Sequence, residues 1–243
     1  MEKAIYFISD AHLSHLETQD TKSRREKLIE FLQSIHGADA LYILGDLFDF
    51  WFDYKHVIPK YHHQIFCGIS SLRGSGTKIY ILGGNHDFWL GDFFTNHLDV
   101  EIIPPEHEIT INGKRFFLAH GDGLLPGDTG YKILKSILRS RVAIFLFKWL
   151  HPDIGFKFAE MISQSSRRYN SSEDAIVERL TILGEEFAKT KFKGEIDFVL
   201  FGHIHRPHQL NDGKKRFLIL GDWMKYFSYG KFENNKLSLH YWS

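Results

Sequence analysis

A single cysteine, Cys67, excludes an internal disulfide and fits a reducing compartment. Net charge is missing too: thirty Lys and Arg offset thirty Asp and Glu. That balance points to neither nucleic acid nor an acidic partner, so any charge signal must be local. Nowhere is there the apolar run of about 18 residues that a membrane helix needs. Residues 1–12 enter a strand-like run without the long apolar core of a secretory signal, and a cytoplasmic location is expected. Internal repeats and low-complexity segments are absent as well. What the 243 residues hold in excess is histidine, 15 copies, and phenylalanine, 22. The first suggests metal or proton chemistry, the second a packed core or lipid contact. With 43% hydrophobic residues there is ample material for a core.

Short apolar runs that end in Gly, Asp, Asn or His recur at residues 4–9, 40–44, 78–82, 115–119, 197–201 and 216–220. Their length and their Ile, Val, Phe and Tyr content predict strands, and runs apolar on both faces predict burial between layers. Helical patterning is expected over 22–34, about 56–72, and 175–190, so the chain reads as an α/β core. Asn112-Gly113 and Asn234-Asn235 predict two hairpins, making the sheets mixed. One region breaks the alternation. Residues 131–169 contain no strand pattern and hold eight Lys and Arg against two acids, with bulky Ile144, Phe145, Phe147, Trp149, Phe156 and Phe158. They read as a helical lid inserted at about 131–170 in one domain spanning 1–243, although aromatic residues in such a helix can equally pack into a core.

Five short motifs follow five of the expected strands: Asp10-Ala11-His12, Gly45-Asp46 with Asp49, Gly84-Asn85-His86-Asp87, His120-Gly121-Asp122 and Gly202-His203 with His205. In an α/β sheet the loops beyond the strand carboxyl ends share one rim, where ligands bind. Seven N and O donors would therefore converge: Asp10, His12, Asp46, Asn85, His120, His203 and His205. Asp, Asn and His together suit Mn, Fe, Zn, Co or Ni, and the lack of cysteine in every motif argues against a structural zinc site. The neighbouring glycines allow sharp turns and close approach of phosphate oxygens. Asp49 and Asp122 are expected to orient ligand imidazoles. His36, His107 and His240 stand outside every motif and read as ordinary surface or core residues.

In this order the motifs resemble the calcineurin-like metallophosphoesterase family, from Ile5 to about Asp222. The resemblance implies two stacked mixed β-sheets flanked by helices, and a centre of two divalent metal ions, with Mn2+ the expected metal. It places Asp10, His12, Asp46 and His205 on one ion and Asp46, Asn85, His120 and His203 on the other, with Asp46 bridging. Two ions roughly 3.5–4 Å apart would generate hydroxide from a shared water, fix the phosphoryl oxygens and neutralise developing charge. His86 is the expected catalytic residue, stabilising phosphate and protonating the leaving oxygen.

The stretch from Leu41 to Trp51, the segment from His120 to Tyr131, and Ser166-Arg167 with Asn170 resemble the UDP-2,3-diacylglucosamine pyrophosphohydrolase branch. The resemblance implies hydrolysis of a lipid-linked sugar nucleotide to UMP and 2,3-diacylglucosamine 1-phosphate. Asp128, Ser166, Arg167 and Asn170 would position sugar or phosphates. Apolar bulk paired with positive charge in the insertion fits acyl chains beside an anionic membrane surface, and so peripheral attachment on the inner face of the cytoplasmic membrane. No protein partner is expected. One position departs: well-known members of the branch have Arg where this chain has His86, so another nucleotide or lipid phosphodiester or pyrophosphate is the alternative substrate, and a scaffold of this family without catalysis is the non-enzymatic alternative.

Overall fold

Runs of branched and aromatic residues form eleven strands in a computed structural model that describes residues 3–124, 135–157 and 173–243. One sheet contains β1 (Ile5–Ile8), β2 (Ala40–Leu44), β3 (Lys78–Leu82), β4 (Glu101–Ile102), β10 (Ser228–Glu233) and β11 (Lys236–Tyr241), in the order β11-β10-β1-β2-β3-β4. The other contains β5 (Glu106–Ile111), β6 (Lys114–Ala119), β7 (Phe198–Phe201), β8 (His208–Asp212) and β9 (Lys215–Ile219), in the order β5-β6-β7-β9-β8. In the first sheet β1 to β4 run parallel and β10 and β11 close the edge antiparallel. In the second, β6, β7 and β9 are parallel, with antiparallel β5 and β8 outside them. The fold is α/β with two mixed sheets flanked by helices.

Side chains alternate across each strand and so sort into layers. Phe7, Tyr42 and Leu44 meet Phe116, Leu118, Leu200 and Leu218 between the sheets. Rings stack along the first sheet, Tyr80 to Tyr42 at 4.6 Å and Tyr42 to Phe7 at 5.3 Å, and Phe7 then crosses the gap to Phe116 at 5.8 Å. Burying one such side chain contributes roughly 1.5–3 kcal/mol. The opposite face of the first sheet, including Ile8, Ile43 and Ile81, packs against α1 (Gln19–Ser34), α2 (His63–Gly74) and α3 (Phe93–Leu98) through Phe31, Ile65 and Phe94. The outer face of the second sheet meets Ala188 and Phe192 of the helix α5 (Glu173–Lys193).

Local chemistry sets the ends. Thr18 accepts the Thr21 N–H at 3.1 Å while Thr21 Oγ1 accepts the Thr18 N–H at 2.8 Å, so α1 starts before the expected Lys22. The helix expected from about 56 begins later: a 3-10 turn, Lys60–His62, leads into α2. Both hairpins turn on residues with positive φ, 51° and 74° at Asn112 and Gly113, 52° and 60° at Asn234 and Asn235. Residues 135–138 and 152–157 are helical and flank α4 (Arg141–Lys148), so the described part of 131–170 contains helix and no strand. Phe158, Asp128, Ser166, Arg167 and Asn170 lie outside the described residues. Among the described residues no helix is long and apolar enough to cross a membrane.

Candidate metal centre

The loops after β1, β2, β3, β6 and β7 meet at one rim because the strands that feed them run parallel within each sheet. Backbone bonds stitch the first two together: Asp10 N–H to the Gly45 carbonyl at 3.1 Å and His12 N–H to the Asp46 carbonyl at 3.0 Å. The Asp10 carboxylate then reaches the other sheet, where its Oδ2 accepts the His203 N–H at 2.9 Å. Asp10, His12, Asp46 and His203 all adopt positive φ, between 45° and 64°. For residues other than glycine that conformation is uncommon and costs roughly 1–3 kcal/mol each.

Most of the side chains converge in buried space, while the His205 side chain stays 43% exposed. His12 Nε2 lies 3.7 Å from Asp10 Oδ1 and 3.6 Å from Asp46 Oδ2, and His205 Nε2 lies 3.4 Å from Asp10 Oδ1. On the other side, His120 Nε2 is 3.3 Å from Asp46 Oδ2 and 2.9 Å from Asn85 Oδ1, and His203 Nδ1 is also 2.9 Å from Asn85 Oδ1. Thus a single oxygen, Asp46 Oδ2, faces one imidazole from each half. His86 joins His12 and Asp46 with donor atoms all within 4.8 Å of one another.

Outer partners fix the tautomers. His120 Nδ1 donates to the Leu44 carbonyl at 2.9 Å, and His12 Nδ1 donates to Asp49 Oδ1 at 3.2 Å. In the neutral rings both Nε2 atoms therefore carry lone pairs aimed inward, as metal-binding imidazoles do. His86 Nδ1 donates to the Asp49 carbonyl at 3.0 Å, so its Nε2 can give a proton only from the imidazolium. Asp122 pairs with Lys135 at 2.6 Å.

This constellation fits divalent cations. Asp10 Oδ1 and His12 Nε2 are buried and have no hydrogen-bond partner, although each faces other donors. Burial opposes charge on Asp10 and Asp46, yet surrounding imidazoles hold both below the ordinary carboxylate range. Burial alone would lower His120, but Asp46 lifts it to about 10, and His12 is raised by Asp10 and Asp49. His203 is lowered to about 4 by burial and by His120. Burial lowers His86 too, despite Asp46. Two fully buried carboxylates demand positive charge, and ions bound by Asp, Asn and imidazole donors would supply it without protonating the rings.

Close packing explains two glycines. A Cβ on Gly84 would overlap Asp46 Oδ1, and one on Gly45 would come within 2.6 Å of His120 Nδ1. Beside them stand the candidate ligands themselves. The motif includes Asp87 but assigns it no role, and the structure buries it fully below the rim. Its only signal was an acid following a buried strand in a glycine-rich turn. The pattern also gave no role to Arg139, whose guanidinium donates to the Gly84 carbonyl at 3.3 Å, or to Trp89, whose Nε1 donates to the Leu138 carbonyl at 3.0 Å.

The profile described as calcineurin-like phosphoesterase matches residues 3–207. The chain belongs to that family. It is similar to proteins named UDP-2,3-diacylglucosamine hydrolase. The one from Porphyromonas gingivalis is 33% identical over 258 residues, covering 98% of this phosphoesterase and 97% of the relative. That from Ectopseudomonas mendocina is 31% identical over 224 residues, 90% of each chain. A third, from an Enterobacter species, is 31% identical over 225 residues, covering 90% and 91%. Family membership and the clustered Asp and His side chains together make this a metal-dependent phosphoesterase.

Proposed function

We propose that this phosphoesterase hydrolyses the pyrophosphate of UDP-2,3-diacylglucosamine to UMP and 2,3-diacylglucosamine 1-phosphate. Relatives of that name, similar along nearly their whole length, support the reading. The observation that carries it is an apolar stripe turned outward beside the rim. Val142, Phe145, Leu146 and Trp149 follow helical spacing, yet are 68%, 60%, 64% and 79% exposed. Phe147, on the other side of the same helix, packs inward on Phe50, Phe52 and Trp89, and Phe156 of the next helical stretch contacts Phe50. These rings join the insertion to the loops bearing Asp49 and His86. An outward stripe flanked by Arg141 and Lys148 suits acyl chains delivered from an anionic bilayer, and so a cytoplasmic enzyme held peripherally on the membrane's inner face.

Asp10, His12, Asp46 and His205 would hold one divalent ion and Asp46, Asn85, His120 and His203 the other, with Mn2+ the proposed metal. Bound there, the pair would supply Lewis acidity and a water of lowered pKa. The chain's own residues do the rest. Asp49 fixes the His12 ring and receives the His86 Nδ1–H at its carbonyl. His86 meets the phosphate; an incoming anion favours its imidazolium, from which Nε2 protonates the leaving oxygen. Water oxygen bonds to the α-phosphorus, the bond to the bridging oxygen breaks, and that oxygen leaves with the sugar phosphate. Asp128, Ser166, Arg167 and Asn170 are proposed to position sugar and phosphates.

The test incubates purified protein and MnCl2 with UDP-2,3-diacylglucosamine in ¹⁸O-water, alongside cyclic nucleotides and DNA. Release of ¹⁸O-labelled UMP from the lipid substrate alone is expected. Cleavage of another phosphodiester with the lipid untouched would overturn the substrate and leave the phosphoesterase.

A further inference from the structure

We propose that Asp87 is a positioning residue that presets the bridging ligand, clamping the loop of Asp46 to the loop of Asn85 before any ion binds. The inference rests on the two-ion reading of the rim.

Asp87 is wholly buried, and both of its oxygens are occupied by backbone donors. Oδ1 accepts Gly84 N–H at 2.8 Å and Asp46 N–H at 3.1 Å; Oδ2 accepts Leu47 N–H at 2.8 Å and Phe48 N–H at 3.4 Å. Three of these donors belong to the loop after β2 and one to the loop after β3, so a single carboxylate joins the two. Acceptors with charge make the stronger kind of hydrogen bond, and burial prevents water from competing. With its oxygens spent on N–H groups, Asp87 is not available as a ligand, although it sits two residues from Asn85.

What the clamp holds is strained. Asp46 has φ of 52°. Its N–H is held by Asp87, and its carbonyl accepts the His12 N–H at 3.0 Å, which brings in the loop after β1. Its Oδ1 accepts the His86 N–H at 2.9 Å, leaving Oδ2 turned toward His12 and His120. The direction of the bridging oxygen therefore depends on backbone that Asp87 fixes. Without the clamp, Asp46 is free to relax from the left-handed conformation and Oδ2 no longer faces both halves.

The experiment titrates metal-stripped protein with Mn2+ by calorimetry and records the electron paramagnetic resonance spectrum at two equivalents. Wild type should show two sites and the spectrum of an exchange-coupled pair. Asp87→Asn keeps the shape but sets an amide NH2 against backbone N–H groups. It should remain folded by circular dichroism, lose about 10–100-fold in affinity for one ion, and show the lines of uncoupled Mn2+. Asp53→Asn is the control, because Asp53 Oδ2 accepts Asp92 and Phe93 N–H groups at 2.8 and 3.2 Å, farther along the two loops than any candidate ligand; it should bind Mn2+ as wild type does. Wild-type affinity and coupling in Asp87→Asn would overturn the proposal. Hydrogen exchange on stripped wild type decides independently of any variant. The amides of Gly84, Asp46 and Leu47 should be as protected as in the Mn2+-loaded protein, and protection that arises only on adding Mn2+ would also overturn it. A wild type that binds no coupled pair would instead strike at the two-ion reading.

Discussion

Adding one methyl group at Gly84 should uncouple the metal centre from an otherwise intact fold. A Cβ there would overlap Asp46 Oδ1 and stand 2.7 Å from the Asp46 nitrogen and 2.8 Å from its Cγ. Non-bonded carbon contacts relax to about 3.5–4.0 Å, so the loops must part by roughly 1 Å. Either Asp46 swings away from its neighbours or the Gly84 loop retreats from Asp87. Overpacking of this kind costs about 1–3 kcal/mol. For a chain of this size each kcal/mol lowers Tm by about 2–4 °C, which gives a fall of roughly 2–12 °C. Because the displaced group is a shared ligand, Mn2+ affinity should drop by at least about tenfold. Gly74→Ala provides the comparison. It lies at the end of α2 with nothing within 4 Å of an added Cβ, and should be neutral or stabilising by up to about 1 kcal/mol. Scanning fluorimetry and calorimetric Mn2+ titration of both variants read the result. A Gly84→Ala protein with wild-type Tm and affinity would refute the packing argument.

His86→Ala should keep both ions by metal analysis but lose about 10²–10⁴-fold in kcat, and unchanged turnover would remove His86 from the chemistry. Asp46→Ala should abolish activity and leave fewer than two ions per chain by plasma mass spectrometry. His62 is fully buried against Phe48, neither ring nitrogen has a hydrogen-bond partner, and burial with His15 and Arg25 lowers its pKa to about 3. The unfolded chain gains that proton near pH 6.5 and the folded chain only near 3, so the contribution is full above about 6.5 and is lost as pH falls between them, at up to about 1.4 kcal/mol per unit. Denaturant midpoints of wild type should fall from pH 7 to pH 5 more than those of His62→Phe; parallel falls would contradict this. Replacing Phe145 and Trp149 by Ser should slow cleavage of a diacylated substrate more than that of a water-soluble phosphodiester, and equal slowing would mark the pair as structural.

The strands before the motifs were legible because branched and aromatic runs stop abruptly at Gly, Asp or His, and both hairpins were legible because their turns need residues that tolerate positive φ. The motifs placed Asp10, Asp46, Asn85, His120 and His203 on strand ends, and the structure brings them into contact. β4, with two residues, and β8, with the polar pattern His208–Asp212, gave no signal, since edge strands take their conformation from a neighbour. α3 is six residues long, too short for helical periodicity to emerge. Periodicity also cannot say which way a stripe faces. Phe145, Phe147 and Trp149 read alike in sequence, yet the first and last point outward and Phe147 packs on Phe50 and Phe52. The role of Asp87 was hidden because its partners are backbone N–H groups, which sequence does not show.

Anomalous diffraction from crystals grown with MnCl2 bears most directly on the central claim. Two peaks should appear, one bounded by Asp10, His12 and His205, the other by Asn85, His120 and His203, with Asp46 touching both. A lone peak, or peaks away from Asp46, would contradict the account.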